Sequence, residues 1–426
     1  MSVCSCKKIS AVGARAFVSY VEERCFGYEN ADQDTLATTT PTWLGRMKRV
    51  EITSESVVTE ISTLSSEALS PQRAVLKRVQ GQFGVGGDVN AELSNDGFVY
   101  LITQAIGRII VCDSTAVILP VASDGVTSDC TAIAVQNSVA SDYVSDGEIT
   151  YEATCSDSAG YQYETGYYTV DPYALEPGMT FIIGRDAGTI KDTTGTDPTS
   201  GYVYFKYTGM KVNSWAVTAA PDAIVTTTFG MLGKEEAIKD WATPSYAEGS
   251  NDPFTGFNGT VTLYDDAYDD SGTQTTVTAC VLSFDMTLSN DMSTDRYCLG
   301  EKYRNSLPEQ SRTIEGTISI ELADLVLYNK FLNGTAAALK IDFDLNDNDN
   351  ETLAILLPHI EFNGTTPSNA GPEAITQELP YTALWESEAK YMLSNSDLQP
   401  FANEGFDVAV EVASASAGAA FPTTVV

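Results

Sequence analysis

The chain states one pattern twice, and that repetition constrains its architecture more than any single motif does. Pro221-Asp222-Ala223-Ile224-Val225 in the first half is echoed by Pro372-Glu373-Ala374-Ile375-Thr376 in the second. Upstream, Glu51-Ile52-Thr53 answers to Asp285-Met286-Thr287. Each is followed by a long polar stretch, through Leu69-Ser70-Pro71-Gln72-Arg73 or Leu307-Pro308-Glu309-Gln310. Val79-Gln80-Gly81 then matches Ile314-Glu315-Gly316, and Phe98, Leu101 and Gly107 match Leu325, Tyr328 and Gly334. An ordered series of matches indicates a repeat the size of a domain, and repeats fix architecture before local detail does. Two tandem copies carry a built-in pseudo-twofold, which points to a ring or a tube.

Length permits this: 426 residues make two domains of ordinary size, each with a full core. At 43% hydrophobic and 10% aromatic residues the composition is that of a folded chain. Frequent Thr, Ser, Val, Tyr and Gly favour strands and turns. The net charge of −34 excludes a broad basic footprint for nucleic acid. Such acidity gains functional meaning only if the chain lines a channel for another polyanion. No segment approaches the ~20 apolar residues needed to span a bilayer. Behind Lys7 and Lys8 the apolar run is broken by Arg15, so no signal peptide is read. Asn-Gly-Thr triplets at Asn258, Asn333 and Asn363 are read as turns. The 8 cysteines have no zinc-like spacing and are read as free thiols.

The expected fold is mainly β: two tandem β-sandwich or barrel domains, each with one short flanking helix. Residues 1–45 form an arm and an opening strand. Residues 46–233 form the first copy, with a β-rich insertion at about 112–208. Residues 234–256 link it to the second copy at 257–400, and 401–426 are a mobile or docking extension. Each copy begins with a short strand and a long polar loop (55–77; 289–312). A strand of period two follows, with Ile314, Ile318, Ile320 and Leu322 opposite Glu315, Thr317, Ser319 and Glu321. In the first copy Val89, Ala91 and Leu93 alternate with Asp88, Asn90 and Glu92. Such alternation marks a sheet with one buried and one wet face. Asn95 and Asp96 are expected to cap a helix over 97–106 that stops at Gly107, and a second helix stops at Gly334.

Little in the sequence suggests catalysis. The only histidine, His359, lies in a strand and is read as structural. Gly230-Met231-Leu232-Gly233-Lys234-Glu235 has the wrong spacing for a phosphate loop. The acidic run from Asp342 to Glu351 begins like a calcium loop but lacks its glycine and its closing glutamate, so it is read as a hairpin tip. The expectation is therefore no catalytic residue, no metal site and no cofactor.

Taken in order, these features resemble the tail tube (major tail) proteins of long-tailed bacteriophages. The similar parts are Phe17-Val18-Ser19-Tyr20-Val21 ahead of a Thr/Pro segment, the strand into Gly81 followed by the helix ending at Gly107, and Gly209-Met210-Lys211-Val212-Asn213-Ser214-Trp215 leading to Thr226-Thr227-Thr228-Phe229. The resemblance implies a structural virion protein, assembled in the host cytoplasm and stacked as rings into the tail tube that delivers viral DNA. It implies trimeric, pseudo-hexameric rings built on a tape-measure protein and joined to terminator and baseplate proteins. DNA would pass through the lumen without specific binding. On this reading Glu51, Gln80, Gln82, Asp285, Glu315, Thr317, Ser319 and Glu321 face the lumen, and an acidic wall repels phosphate. The two polar loops carry Arg73, Lys77, Arg78, Arg296, Lys302, Arg304 and Arg312, which are assigned to ring-to-ring contacts. A monomeric carbohydrate-binding or adhesin-type sandwich stays open beside it.

Overall fold

The computed structural model describes residues 16–23, 26, 48–65, 77–95, 97–112, 115–120, 154–156, 162–164, 166–169, 178–186, 202–239, 252–268, 275–277, 280–321, 326–345, 352–363, 375–387 and 406–413. Arg73, Asp96, most of the acidic run after Asp344 and the tail beyond Ala413 lie outside them.

The first half contains β1 (Phe17–Glu22), β2 (Lys48–Val50), β3 (Ser54–Glu55), β4 (Val58–Ser65), β5 (Arg78–Glu92) and helix α1 (Val99–Ile106). There follow β6 (Gly107–Cys112), β7 (Thr115–Pro120), β8 (Thr154–Ser156), β9 (Gln162–Glu164) and β10 (Gly166–Thr169). The half closes with β11 (Met179–Asp186), β12 (Tyr202–Ala219), β13 (Thr226–Gly233) and β14 (Glu235–Lys239). The second half contains β15 (Gly259–Tyr264), β16 (Thr276–Val277), β17 (Cys280–Ser289), β18 (Thr313–Glu321) and helix α2 (Val326–Asn333). It ends with β19 (Ala337–Asp344), β20 (Thr352–Phe362), β21 (Thr376–Ala383) and β22 (Ala409–Ala413). The molecule is mainly β, with a large antiparallel sheet and two short helices.

Strand pairing follows one order in each half. The first runs β2–β1–β11–β12, then β12–β13–β5 with β3 and β4 on the far side of β5. The second runs β16–β15–β19–β20, then β20–β21–β18–β17. β14 pairs with the start of β12 as β22 pairs with the start of β20. β11 and β19 are each 8 residues long and each opens a hairpin. Registers correspond too: Glu92 faces Thr226 across β5–β13, and Glu321 faces Thr376 across β18–β21. The halves join where β12, past its pairing with β14, lies beside β17, with Trp215 opposite Leu288 and Thr218 opposite Asp285.

Several boundaries differ from the sequence reading. β1 is the opening strand read from the sequence, and it pairs with β11 and β2 rather than standing apart. Within the segment read as an insertion, β11 pairs with β1 and with β12, whose start also pairs with β14. Within it, β7 pairs with β22, and thereby extends a sheet of the second half. Residues 406–413, assigned to the C-terminal extension, include β22, in which Val410 and Val412 are buried, as is Val408 just before it. Part of the first polar loop is β4, paired along β5. Polar strands of this kind escape a periodicity test because neither face is buried: in β4 every residue except Thr59 is exposed.

The core follows from the alternation. Val85, Val89 and Ala91 of β5 are buried, as are Ile314, Ile318 and Ile320 of β18. Trp215 is wholly buried, stacks on Phe229, and donates its indole N–H to Thr227 Oγ1 at 3.0 Å. Phe229 in turn stacks on Phe98 at the start of α1. Each such side chain contributes ~1.5–3 kcal/mol on burial. Every residue of α1 is buried, so the helix is a core element rather than an amphipathic cover. Its N-cap is Phe98, without a side-chain cap, in place of the Asn95/Asp96 cap expected. Gly107 stops it at φ 144, a conformation that L-residues with side chains rarely adopt. The terminal carbonyls of α1 are satisfied from the other half: Asn290 Nδ2 donates to Ala105 O at 2.9 Å and Arg312 to Ile106 O at 2.6 Å.

Candidate functional site

One face of the run β5–β13–β12–β17–β18–β21 is built from the polar partners of the buried alternation. Period two puts Asp88, Asn90 and Glu92 on the side opposite Val89 and Ala91. Cross-strand register then carries that face across the sheet. Asn90 faces Thr228, Thr228 faces Ala216, and Ala216 faces Thr287. Thr287 faces Glu315, and Glu315 faces Thr382. A second row runs from Glu92 through Thr226, Thr218, Asp285 and Thr317 to Pro380. Ser319 faces Glu378, and Glu361 of β20 faces Thr382.

The charge of this face is of one sign. Asp88, Glu92, Asp285, Glu315, Glu321, Glu361 and Glu378 lie on it. The strand segments that compose it (88–92, 214–219, 226–230, 283–289, 313–321 and 376–383) contain no lysine or arginine. Hydroxyls fill the spaces: Thr228 Oγ1 donates to Asn90 Oδ1 at 2.8 Å, and Asn90 Nδ2 to Ser54 Oγ at 3.0 Å. Burial raises the Asp285 carboxyl above its ordinary value of 3.8; the Thr317 backbone N–H opposes this and the Glu378 charge adds to it. Beneath it, Tyr381 donates its hydroxyl to Asp285 O at 3.0 Å, and burial with the nearby Asp285 charge holds that phenol well above its usual range. A wall of this type presents hydrogen-bonding groups with a repulsive field toward polyanions.

The residues singled out from sequence fall into two groups. Asp285, Glu315, Thr317, Ser319 and Glu321 share this face. Glu51 is exposed just before Thr53, whose N–H bonds Asn90 O. Gln80 and Gln82 sit on the projecting half of β5, paired with β4, beyond Gly84 and Gly86. Glu92 stands opposite Thr226 as Glu321 stands opposite Thr376. Asp88 and Glu92, which the lumen-facing set read from the sequence did not include, therefore lie on this face as well. Their alternation with Val89 and Ala91 was the signal that could have found them.

The basic residues also divide. Lys77, Arg78 and Arg296 are exposed, and Arg78 donates to Thr63 Oγ1 at 2.8 Å. Lys302 places its ammonium 4.8 Å from the Phe83 ring centre and 4.6 Å from that of Tyr303. Arg304 is only 9% exposed; it donates to Tyr297 Oη at 3.1 Å and Gly233 O at 3.2 Å. Arg312 pairs with Asp407 at 2.9 Å besides bonding Ile106 O. Arg304 and Arg312 thus bind the second half to the first, each donating to a backbone carbonyl at the end of a first-half element, β13 and α1 respectively.

Among the described residues no cluster of His, Cys, Asp or Glu has metal-binding geometry. His359 Nδ1 lies 3.0 Å from Glu386. No curated protein matches the chain. A family model described as phage tail tube protein matches residues 13–383, the span from just before β1 to the end of β21. The chain therefore belongs to the phage tail tube protein family, a structural, non-enzymatic component of the virion tail that self-assembles into a tube.

Proposed function

We propose that the chain is a tandem duplication of one tube domain, β1 to β14 and β15 to β22, and that three copies close into a pseudo-hexameric ring. The observation that carries this is the join between β12 and β17. It is a domain-to-domain sheet contact made within one chain, from Ser214 opposite Ser289 to Ala219 opposite Phe284. Repeating it between chains pairs the end of β20 of one copy with the edge formed by residues 53–57 of the next. Closure removes both open edges, which would otherwise be sites of uncontrolled pairing.

In this arrangement the acidic face becomes the wall of the lumen. Asp88, Asn90 and Glu92 line it with Asp285, Glu315, Thr317, Ser319, Glu321 and Glu378, and repulsion keeps passing DNA from adhering. Rings stack through their charged surfaces, where the exposed Lys77, Arg78 and Arg296 meet acidic groups of the adjoining ring. The tape-measure protein occupies the lumen during assembly, and terminator and baseplate proteins close its ends. Electron microscopy of the purified protein at high concentration tests this. Stacked rings with threefold symmetry and sixfold-like density are expected; a uniform monomer under all conditions would refute it.

A further inference from the structure

The second half leaves bare a surface that the first half has covered. At the end of β13, Gly233 and its successors meet the 290–312 segment: Arg304 donates to Gly233 O, and Phe83 exchanges contacts with Lys302 and Tyr297. Tyr303 completes this cover beside Phe83, Lys234 and Glu235. The matching place in the second half follows β21, where Ala383 stands as Gly233 does. There Leu384 is 38% and Trp385 49% exposed.

The β4–β5 arm has the complementary problem. It is a two-stranded ribbon whose outer part is exposed on both sides, with Leu64 paired opposite Val79 and each 63% exposed. A ribbon of two strands has little stability of its own in water. It leaves β5 at the level where the 290–312 segment leaves β18, since both follow the paired stretches that correspond in register.

We infer that the β4–β5 arm of one copy lies on the Leu384–Trp385 surface of the neighbouring copy in the same ring, burying Leu64 and Val79 against Trp385. This rests on the duplicated-domain ring reading and extends it: the 290–312 segment makes the contact inside the chain, and the arm makes it between chains. The occupant is a second copy because the covered counterpart is covered by the chain's own second half. Apolar contact suits the pair better than charge, since Leu384 and Trp385 stand where the first half has Lys234 and Glu235.

The test compares assembly of full-length Leu64→Ser, Trp385→Ser, the double variant and Trp385→Phe with the unmodified chain, using light scattering and electron microscopy. Circular dichroism of the unassembled protein checks folding. Each serine variant should raise the concentration needed for ring formation about ten-fold or more. The double variant should be little worse than either single one, because residues in contact are not additive. Trp385→Phe should largely restore assembly. Additive or negligible effects, with rings of the unmodified chain forming normally, would overturn the contact and leave the ring reading standing. Normal rings of Leu64→Ser that fail to stack would overturn it in favour of an arm spanning successive rings. Absence of rings from the unmodified chain would overturn the ring reading itself, and the contact with it.

Discussion

Gly316→Ala offers a sharp test of how the acidic face is held. Gly316 lies in β18 between β17 and β21, opposite Met286 and Tyr381. A methyl group built there would fall 2.1 Å from Asp285 O and 2.5 Å from the Tyr381 hydroxyl oxygen. The first obstacle is backbone and cannot move without opening the β17–β18 ladder. The second is a phenol 1% exposed whose hydroxyl is bonded to that same carbonyl. Overpacking of this type costs about 1–3 kcal/mol. Displacing Tyr381 leaves its hydroxyl buried without an acceptor, which costs about 1–3 kcal/mol more. The expected destabilisation is therefore about 2–6 kcal/mol, measured by urea unfolding followed by circular dichroism. Tyr381→Phe removes only the hydrogen bond and should cost about 0.5–1.5 kcal/mol. In the double variant the phenol oxygen is gone, so the loss should be no greater than for Gly316→Ala alone. A Gly316→Ala chain within about 0.5 kcal/mol of the unmodified one, the range of a bland surface change, would refute this account. Additive losses in the double variant would refute the shared obstacle.

Three further outcomes follow from the same geometry. Glu92→Lys with Glu321→Lys should leave tubes intact but make them retain DNA, with a bound fraction that falls steeply as salt rises in a filter-retention assay; tubes that stay free of DNA at low salt would count against a repulsive wall. The Asp285 carboxyl is raised in the folded state, so the stability it contributes is fully present below about 3.8 and is lost as pH rises through its folded value. Asp285→Asn should accordingly melt higher than the parent at neutral pH and no higher near pH 3, as calorimetry at the two pH values would reveal. Arg312→Met breaks both the Asp407 pair and the bond to Ile106 O and should cost about 2–4 kcal/mol. Pairing it with Asp407→Asn should recover part of that loss in thermal unfolding, and no recovery would mean that the Asp407 charge is not what suffers.

Much of this was legible in the chain. Strict alternation in β18 placed Glu315, Thr317, Ser319 and Glu321 on one face, because period two leaves a half-buried strand no other choice. Gly107 and Gly334 ended the two helices where their positive φ demanded it. Strand register was not legible. Gly81 and Gly316 look alike in sequence, yet Gly81 sits in the part of β5 that runs beside β4 while Gly316 lies between β17 and β21, and a register is decided by which partner strand the backbone meets rather than by similarity along the chain.

Tertiary contact also decided which charges were spent. Arg304 and Arg312 read like the exposed Arg296 in sequence, but the end of β13 and the end of α1 in the first half offer them backbone carbonyls to bond, and a helix-end carbonyl buried without a donor would be costly. β22 likewise had too few residues to announce itself; it is a strand because β20 on one side and β7 on the other present open edges to it. Local pattern, then, determined strands, helices and the sign of the wet face, since those depend on neighbours a few residues away. Register, the sharing of the sheet between halves and the fate of each cation depended on groups far apart in sequence, and only the packed chain brings those together.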